Sequence, residues 1–271
     1  MKTEHMKSEQ EYYVDIHCHC LPAVDDGPIT MSESLSLCRA LADDCITDVI
    51  ATPHQLGRFS DCNEAAQIRD QVAALNEELE SNGISLNVVP GGDVRLDERM
   101  CRLIEADKVL TLADGGKYVL LELPHEVFID IETLLVELSS LDIRAIISHP
   151  ERHPIIARRP RVLLKWLEQS AYLQVTSASL LGDFGTLAQK AAWHFLNLGW
   201  VSFVATDAHD LDGRSPCMKA AFGSICARLG GAMARLVCIE NPLRVLEGRD
   251  VLSARSMSTR KWIYERVPSN S

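Results

Sequence analysis

Residues 12–28 read "YYVDIHCHCLPAVDDGP". An apolar, β-prone run ends in Asp15, His17 and His19, and Asp25 and Asp26 follow closely. A core strand gains nothing from this crowd, because burying charged groups without partners is costly. A metal site needs such residues. Whether the stretch is one depends on where similar residues stand in the rest of the chain.

Six further apolar or β-branched runs follow: "ITDVIATP" (46–53), "LNVVPGGDV" (86–94), "YVLLELP" (118–124), "RAIISHP" (144–150), "AYLQVTSA" (171–178) and "WVSFVATDAH" (200–209). Stretches with apolar residues at helical spacing lie between them, such as "SESLSLCRALADD" (32–44) and "DFGTLAQKAAWHFLNLG" (183–199). Strand alternating with helix implies parallel strands and βαβ units. Seven such units can close into a barrel; an open doubly wound sheet is the alternative. The polar residues favour the barrel. His17 and His19 end the first run, His54 follows the second and Asp93 the third. Glu122 closes the fourth, His149 the fifth, and Asp207 and His209 the seventh. Only the sixth, with Gln174, lacks a candidate ligand. Active sites of parallel barrels form at the C-terminal ends of the strands, so the expectation is a seven-stranded (β/α) barrel of TIM type.

Bulk properties narrow the function classes. The chain has 271 residues, 46% hydrophobic and 24% charged, which suits one large α/β domain. Its 38 acidic against 27 basic residues give a formal charge of −11, which disfavours nucleic-acid binding. We see no secretory h-region in the polar start and no run near the ~18 apolar residues of a membrane span. Nine cysteines without CxxC spacing fit free thiols in a reducing cytoplasm. Cys18 and Cys20 flank His19 but point to the opposite face of a strand, as small buried residues do. Residues 1–11 are expected to be a flexible tail, 12–250 the catalytic domain and 251–271 a C-terminal extension.

His, Asp and Glu ligands without Cys suit Mn²⁺, Fe²⁺, Zn²⁺ or Mg²⁺. The candidate ligands are too many for one ion and imply two or three, bridged by carboxylates at about 3.5–4 Å. Such clusters clamp phosphate oxygens and activate a bridging water, so phosphoester hydrolysis is the natural chemistry; amide hydrolysis is the competitor. Arg152 in "SHPERH" and Arg214 in "TDAHDLDGR" each follow a ligand motif. Arginine matches a phosphoryl group with two parallel hydrogen bonds. The bland alternative is a surface salt bridge with Glu151 or Asp212. A cysteine-dependent phosphatase would need a reactive thiolate. Cys238 alone has Arg six residues later, in "CIENPLR", a segment read as a loop without phosphate-wrapping glycines.

Together, "DIHCHCLPAVDDGP", "ATPHQ", "GGDVR", "LLELP", "SHPERH", "QVTSASLLG" and "ATDAHDLDGR" resemble the PHP (polymerase and histidinol phosphatase) superfamily, in its bacterial CpsB-type protein-tyrosine phosphatase branch. The resemblance spans about residues 12–247. It implies a distorted seven-stranded barrel with a trinuclear centre, usually Mn²⁺. The implied substrate is the tyrosine-rich tail of a bacterial kinase controlling capsule or exopolysaccharide export. By motif, His17, His19 and Asp207 would hold one ion, with Asp93 bridging to a second. Glu122 and His149 would complete the second site, and Asp26, His54 and His209 would hold the third. Arg152 and Arg214 would bind phosphate, and Asp207 is also a candidate general acid. A histidinol-phosphate-like phosphatase is the alternative on the same scaffold; a degenerate, non-enzymatic barrel is a third reading. Three positions depart from the family: Asp93 replaces Glu, Gln55 replaces a frequent second His, and Thr176 to Ala178 replace Asn-Ala-Gly. These are expected to tune substrate fit and metal preference.

Overall fold

The structure, a computed structural model, describes residues 11–59 and 63–254. Most of the expected N-terminal tail and nearly all of the C-terminal extension lie outside the described residues, as do His5 and Cys62. The strands are β1 (Tyr13–Cys18), β2 (Ile46–Ala51), β3 (His54–Gln55), β4 (Asn87–Pro90), β5 (Asp93–Arg95), β6 (Tyr118–Glu122), β7 (Arg144–Ser148), β8 (Tyr172–Thr176) and β9 (Val201–Ala205). The helices are α1 (Met31–Asp43), α2 (Ala65–Ser81), α3 (Met100–Glu105), α4 (Glu132–Ser140), α5 (Pro154–Arg158), α6 (Leu163–Glu168), α7 (Ser177–Leu181), α8 (Gly185–Asn197), α9 (Met218–Leu229), α10 (Gly231–Arg235) and α11 (Asn241–Leu246).

All strand pairings between these elements are parallel, as the alternation predicted. The seven runs do not form one closed sheet. They form a three-stranded sheet, β1-β2-β4, and a six-stranded sheet, β3-β5-β6-β7-β8-β9. The second and third runs each split. Pro53, which has no N–H to donate, separates β2 from β3. Gly91 and Gly92 separate β4 from β5. A Cβ on Gly91 would stand 2.6 Å from Ile50 Cγ2, so the chain crosses here closer to β2 than any side chain permits. The backbones of the two sheets meet where β1 ends beside the loop after β9: Cys18 bridges to Ala208, and the Asp207 N–H donates to the His17 carbonyl at 2.8 Å.

Alternation along the strands builds two cores. Val14 and Ile16 of β1 and Ile50 of β2 meet Tyr118, Leu120, Ile146 and Phe203 from the other sheet. The opposite faces pack on helices, with Leu37 and Leu41 of α1 and Ile68, Val72 and Leu75 of α2 in the larger cluster. α1 starts at a capping box: Thr30 Oγ1 accepts from Glu33 N at 3.2 Å, and the Glu33 carboxylate accepts from Thr30 N. The "CIENPLR" segment (238–244), read from sequence as a loop, is helical: after α10 it runs through a π-helical turn at Leu236–Glu240 into α11, with Pro242 in its first turn, where proline is tolerated. No helix among the described residues is long and apolar enough to cross a membrane.

Candidate metal centre

The strand ends converge as the sequence implied. His17 and His19 leave β1, His54 opens β3 and Asp93 opens β5. Glu122 ends β6, His149 follows β7, and Asp207 and His209 follow β9. Asp26 enters from the β1–α1 loop. Their donor atoms form four overlapping groups, each within 4.8 Å: His19, Asp26, His54 and His209; His17, His149 and Asp207; His17, His19 and Asp93; and His54, Asp93 and Glu122. All nine candidate ligands are therefore in one cluster. Asp93 belongs to two groups, as a bridging carboxylate would. Glu122 and His149, expected to share an ion, fall in different groups. His149 has a left-handed backbone, φ 34°, and its ring centroid lies 5.5 Å from that of His17.

The electrostatics ask for cations. Asp93 is fully buried, yet neither of its oxygens accepts a hydrogen bond. Asp207 Oδ1, His54 Nδ1 and His209 Nε2 are likewise buried without hydrogen-bond partners. A buried, ionised carboxylate without donors costs several kcal/mol unless a cation meets it. His54 Nδ1 stands 3.2 Å from Asp93 Oδ2, and His17 Nε2 is 3.2 Å from Asp207 Oδ1. These are lone pairs of unlike ligands aimed at common points. The donor set, imidazole and carboxylate, fits divalent ions of the hard-to-borderline kind.

Several residues position the ligands and were not assigned roles from sequence. His17 Nδ1 is 3.0 Å from Gln174 Oε1, so the one strand without a ligand supplies an orienting group. Asp25 Oδ2 is 2.6 Å from His19 Nδ1 and also accepts from the His54 N–H at 3.0 Å. Such contacts fix which ring nitrogen faces the ion. Asp15, fully buried, accepts from the His17 and Thr206 N–H groups and the Thr206 hydroxyl, tying the end of β1 to the loop after β9. The first acid of "DDG" and Gln174 of the sixth run were the available signals.

Above the cluster lies a cavity of about 440 Å³, lined in part by Asp26, His54, Glu122, His149, Arg152 and Arg214. Arg152 and Arg214 both ion-pair with Asp207 Oδ2. Neither guanidinium makes the surface pair weighed from sequence. Glu151 is instead buried and accepts from Thr176 N at 2.9 Å, so Thr176 helps fix the loop that carries Arg152. The Arg152 guanidinium lies over Phe184, 4.2 Å from its ring centroid. Burial opposes ionisation of Asp207, but His17 and the two arginines outweigh it and hold this carboxyl well below the usual range. With Oδ2 held by the two arginines and its proton disfavoured, Asp207 does not fit the general-acid role.

The remaining departures and rivals resolve geometrically. Gln55 does not face the site: its Nε2 donates to the Asn63 carbonyl at 2.7 Å and its Oε1 accepts from Leu110 N at 2.9 Å. It is a structural brace, not a tuner of the metal. Cys18, Cys20 and Cys238 are fully buried, and burial pushes the Cys238 and Cys18 thiols up, the latter to about 11. His153 caps α5 through Nδ1, whereas His125 lines the cavity with its ring nearly parallel to His149.

Residues 13–247 match the profile of a family described as capsular polysaccharide synthesis, CpsB/CapC. The chain is 34% identical over 203 residues to the tyrosine-protein phosphatase YwqE of Bacillus subtilis (strain 168), covering 74% of this chain and 79% of that protein. It is 32% identical over 211 residues to CapC of Staphylococcus aureus, covering 77% and 82%. A solved structure from the study of YwqE from Bacillus subtilis and CpsB from Streptococcus pneumoniae, described as unique metal-dependent tyrosine phosphatases, superposes with a TM-score of 0.85. That match has 31% identity and covers 89% of this chain and 97% of the other.

Proposed function

The chain belongs to the CpsB/CapC family of capsular polysaccharide synthesis, and from that premise we propose that it is a metal-dependent protein-tyrosine phosphatase. The observation that carries the reading at the level of chemistry is buried Asp93, without a hydrogen-bond donor, among eight other candidate ligands. Asp26, Asp93, Glu122 and Asp207 bring four negative charges; two divalent ions would balance them, and a third would add the net positive charge that attracts a phosphoryl dianion. We assign His17, His19, Asp26, His54, Asp93, Glu122, His149, Asp207 and His209 as ligands for two or three such ions, Mn²⁺ foremost. When bound, the ions activate water and neutralise phosphoryl oxygens.

The chain's own residues do the rest. Arg152 and Arg214, anchored side by side on Asp207, present guanidinium N–H groups to the equatorial oxygens of the phosphoryl group, where charge builds in the transition state. Asp207 orients them through Oδ2 and serves as ligand through Oδ1. Gln174 and Asp25 hold His17 and His19 in the tautomer that faces the ions. Phenolate is a good leaving group and needs little protonation, so the absence of an assigned general acid is no obstacle. The reading places the chain within the wider PHP superfamily and takes the two sheets as parts of a distorted barrel, hinged where Cys18 meets Ala208. Its substrate would be a tyrosine-phosphorylated protein, the tail of a bacterial tyrosine kinase.

The test is phosphate release from a tyrosine-phosphorylated peptide with Mn²⁺, repeated with excess chelator. Release that the chelator abolishes is expected. Release from histidinol phosphate but not from the peptide would move the assignment to a small-molecule phosphatase on the same scaffold.

A further inference from the structure

The cavity above the cluster is polar almost all round. Its lining consists of carboxylates, imidazoles and guanidiniums, and its hydrocarbon side chains, among the described residues, are Leu56 and Phe59. Leu56 is buried, with 7% of its surface exposed. Phe59 is half-buried and is the aromatic hydrocarbon ring of the lining.

That ring is held close to the reacting end. Its centroid lies 5.6 Å from that of His54, with the planes 16° apart. The Arg58 guanidinium stands 4.7 Å from the Phe59 centroid and bonds to Asp26 at 3.0 Å. The turn beneath is tight: Phe59 N donates to the Leu56 carbonyl at 3.0 Å. Leu56 and Gly57 both adopt left-handed backbones, φ 65° and 58°. A Cβ on Gly57 would stand 3.0 Å from Arg95 Cγ, so the turn is pressed against a neighbouring cavity residue. A leucine in this region is uncommon and persists only where its surroundings enforce it. Here the enforced turn sets Phe59 at the cavity wall.

We infer that Phe59 is the specificity-determining wall for the leaving group, packing against an aryl ring joined through oxygen to the phosphoryl group. The inference rests on the phosphatase reading and adds which residue makes the site prefer an aryl ester. Phe59 lines the same cavity as His54 and the two arginines and lies beside His54, so an aryl ring on a phosphoryl group held there would have this wall within reach. An alkyl or sugar phosphate has no flat apolar face to offer and gains little there. Ring-on-ring packing is worth about tenfold in affinity.

The test separates the ring from the head group. The full chain, loaded with Mn²⁺, is titrated with benzylphosphonate and with methylphosphonate, neither of which it can hydrolyse. The wild type should bind benzylphosphonate about tenfold more tightly. Phe59→Ala should bind the two alike, with methylphosphonate affinity unchanged, and Phe59→Tyr should keep the preference. Equal binding by the wild type, a preference that survives in Phe59→Ala, or parallel loss of both ligands in that variant would overturn the inference. A wild type that binds neither phosphonate would instead defeat the phosphoryl-site reading beneath it.

Discussion

The two oxygens of Asp207 face different partners: Oδ1 turns to His17 and His19, Oδ2 to Arg152 and Arg214. One side chain thereby joins the candidate metal cluster to the two arginines proposed to bind phosphate. Asp207→Asn keeps the shape but removes the charge that both sides use. It should leave a folded protein whose kcat falls by orders of magnitude, with His149→Ala behaving alike; near wild-type turnover in either would contradict the site. Gln174 acts one step back. Gln174→Leu frees His17 to rotate and should weaken Mn²⁺ binding by about 10–100-fold, read by calorimetry, without unfolding the chain. The clustering of these nine side chains was legible in the sequence because imidazole and carboxylate at strand ends have no ordinary use. The positioning roles of Asp25 and Gln174 were not, since an amide or acid beside a histidine acquires that role only through distances set by the fold.

Elements that break determine the geometry of the site. The third apolar run divides at Gly91 and Gly92, and only that division lets β5 pair with β3, setting Asp93 opposite His54. Gly91→Ala forces a methyl against Ile50 and should cost about 1–3 kcal/mol of stability in denaturant unfolding, with activity falling as well because Asp93 is two residues away. Thr30→Ala removes a helix cap remote from the ligands and should cost about 1 kcal/mol with turnover intact. If both variants lost activity equally, the special role of the Gly91 crossing would be refuted. Periodicity predicted the parallel strands and the longer helices α1, α2, α8 and α9. It missed the break at Gly91, which depends on close approach of another strand, and the helical course of residues 238–244, where Pro242 reads locally as a loop.

Over the whole molecule, two sheets share one apolar interior and deliver their polar ends to one rim. Closure into a seven-stranded barrel was the sequence expectation; sheet order is a property of pairing between distant strands, and no local pattern records where pairing stops. Metal binding should link to folding, because ions held by residues from both sheets bind the native state alone. Chelation should therefore lower Tm, whereas thiol alkylation should leave activity unchanged, because Cys18, Cys20, Cys38, Cys45 and Cys238 are buried and the partly exposed Cys101, Cys217 and Cys226 belong neither to the candidate metal cluster nor to the cavity lining. If the nine clustered side chains form one polynuclear centre for phosphoester hydrolysis, metal content and turnover must move together. Elemental analysis, made on the same samples as phosphate release from a phosphotyrosyl peptide, measures this. At least two equivalents per chain are expected, with activity rising and falling with occupancy. Full activity at one equivalent or fewer, or after exhaustive chelation, would contradict the polynuclear centre.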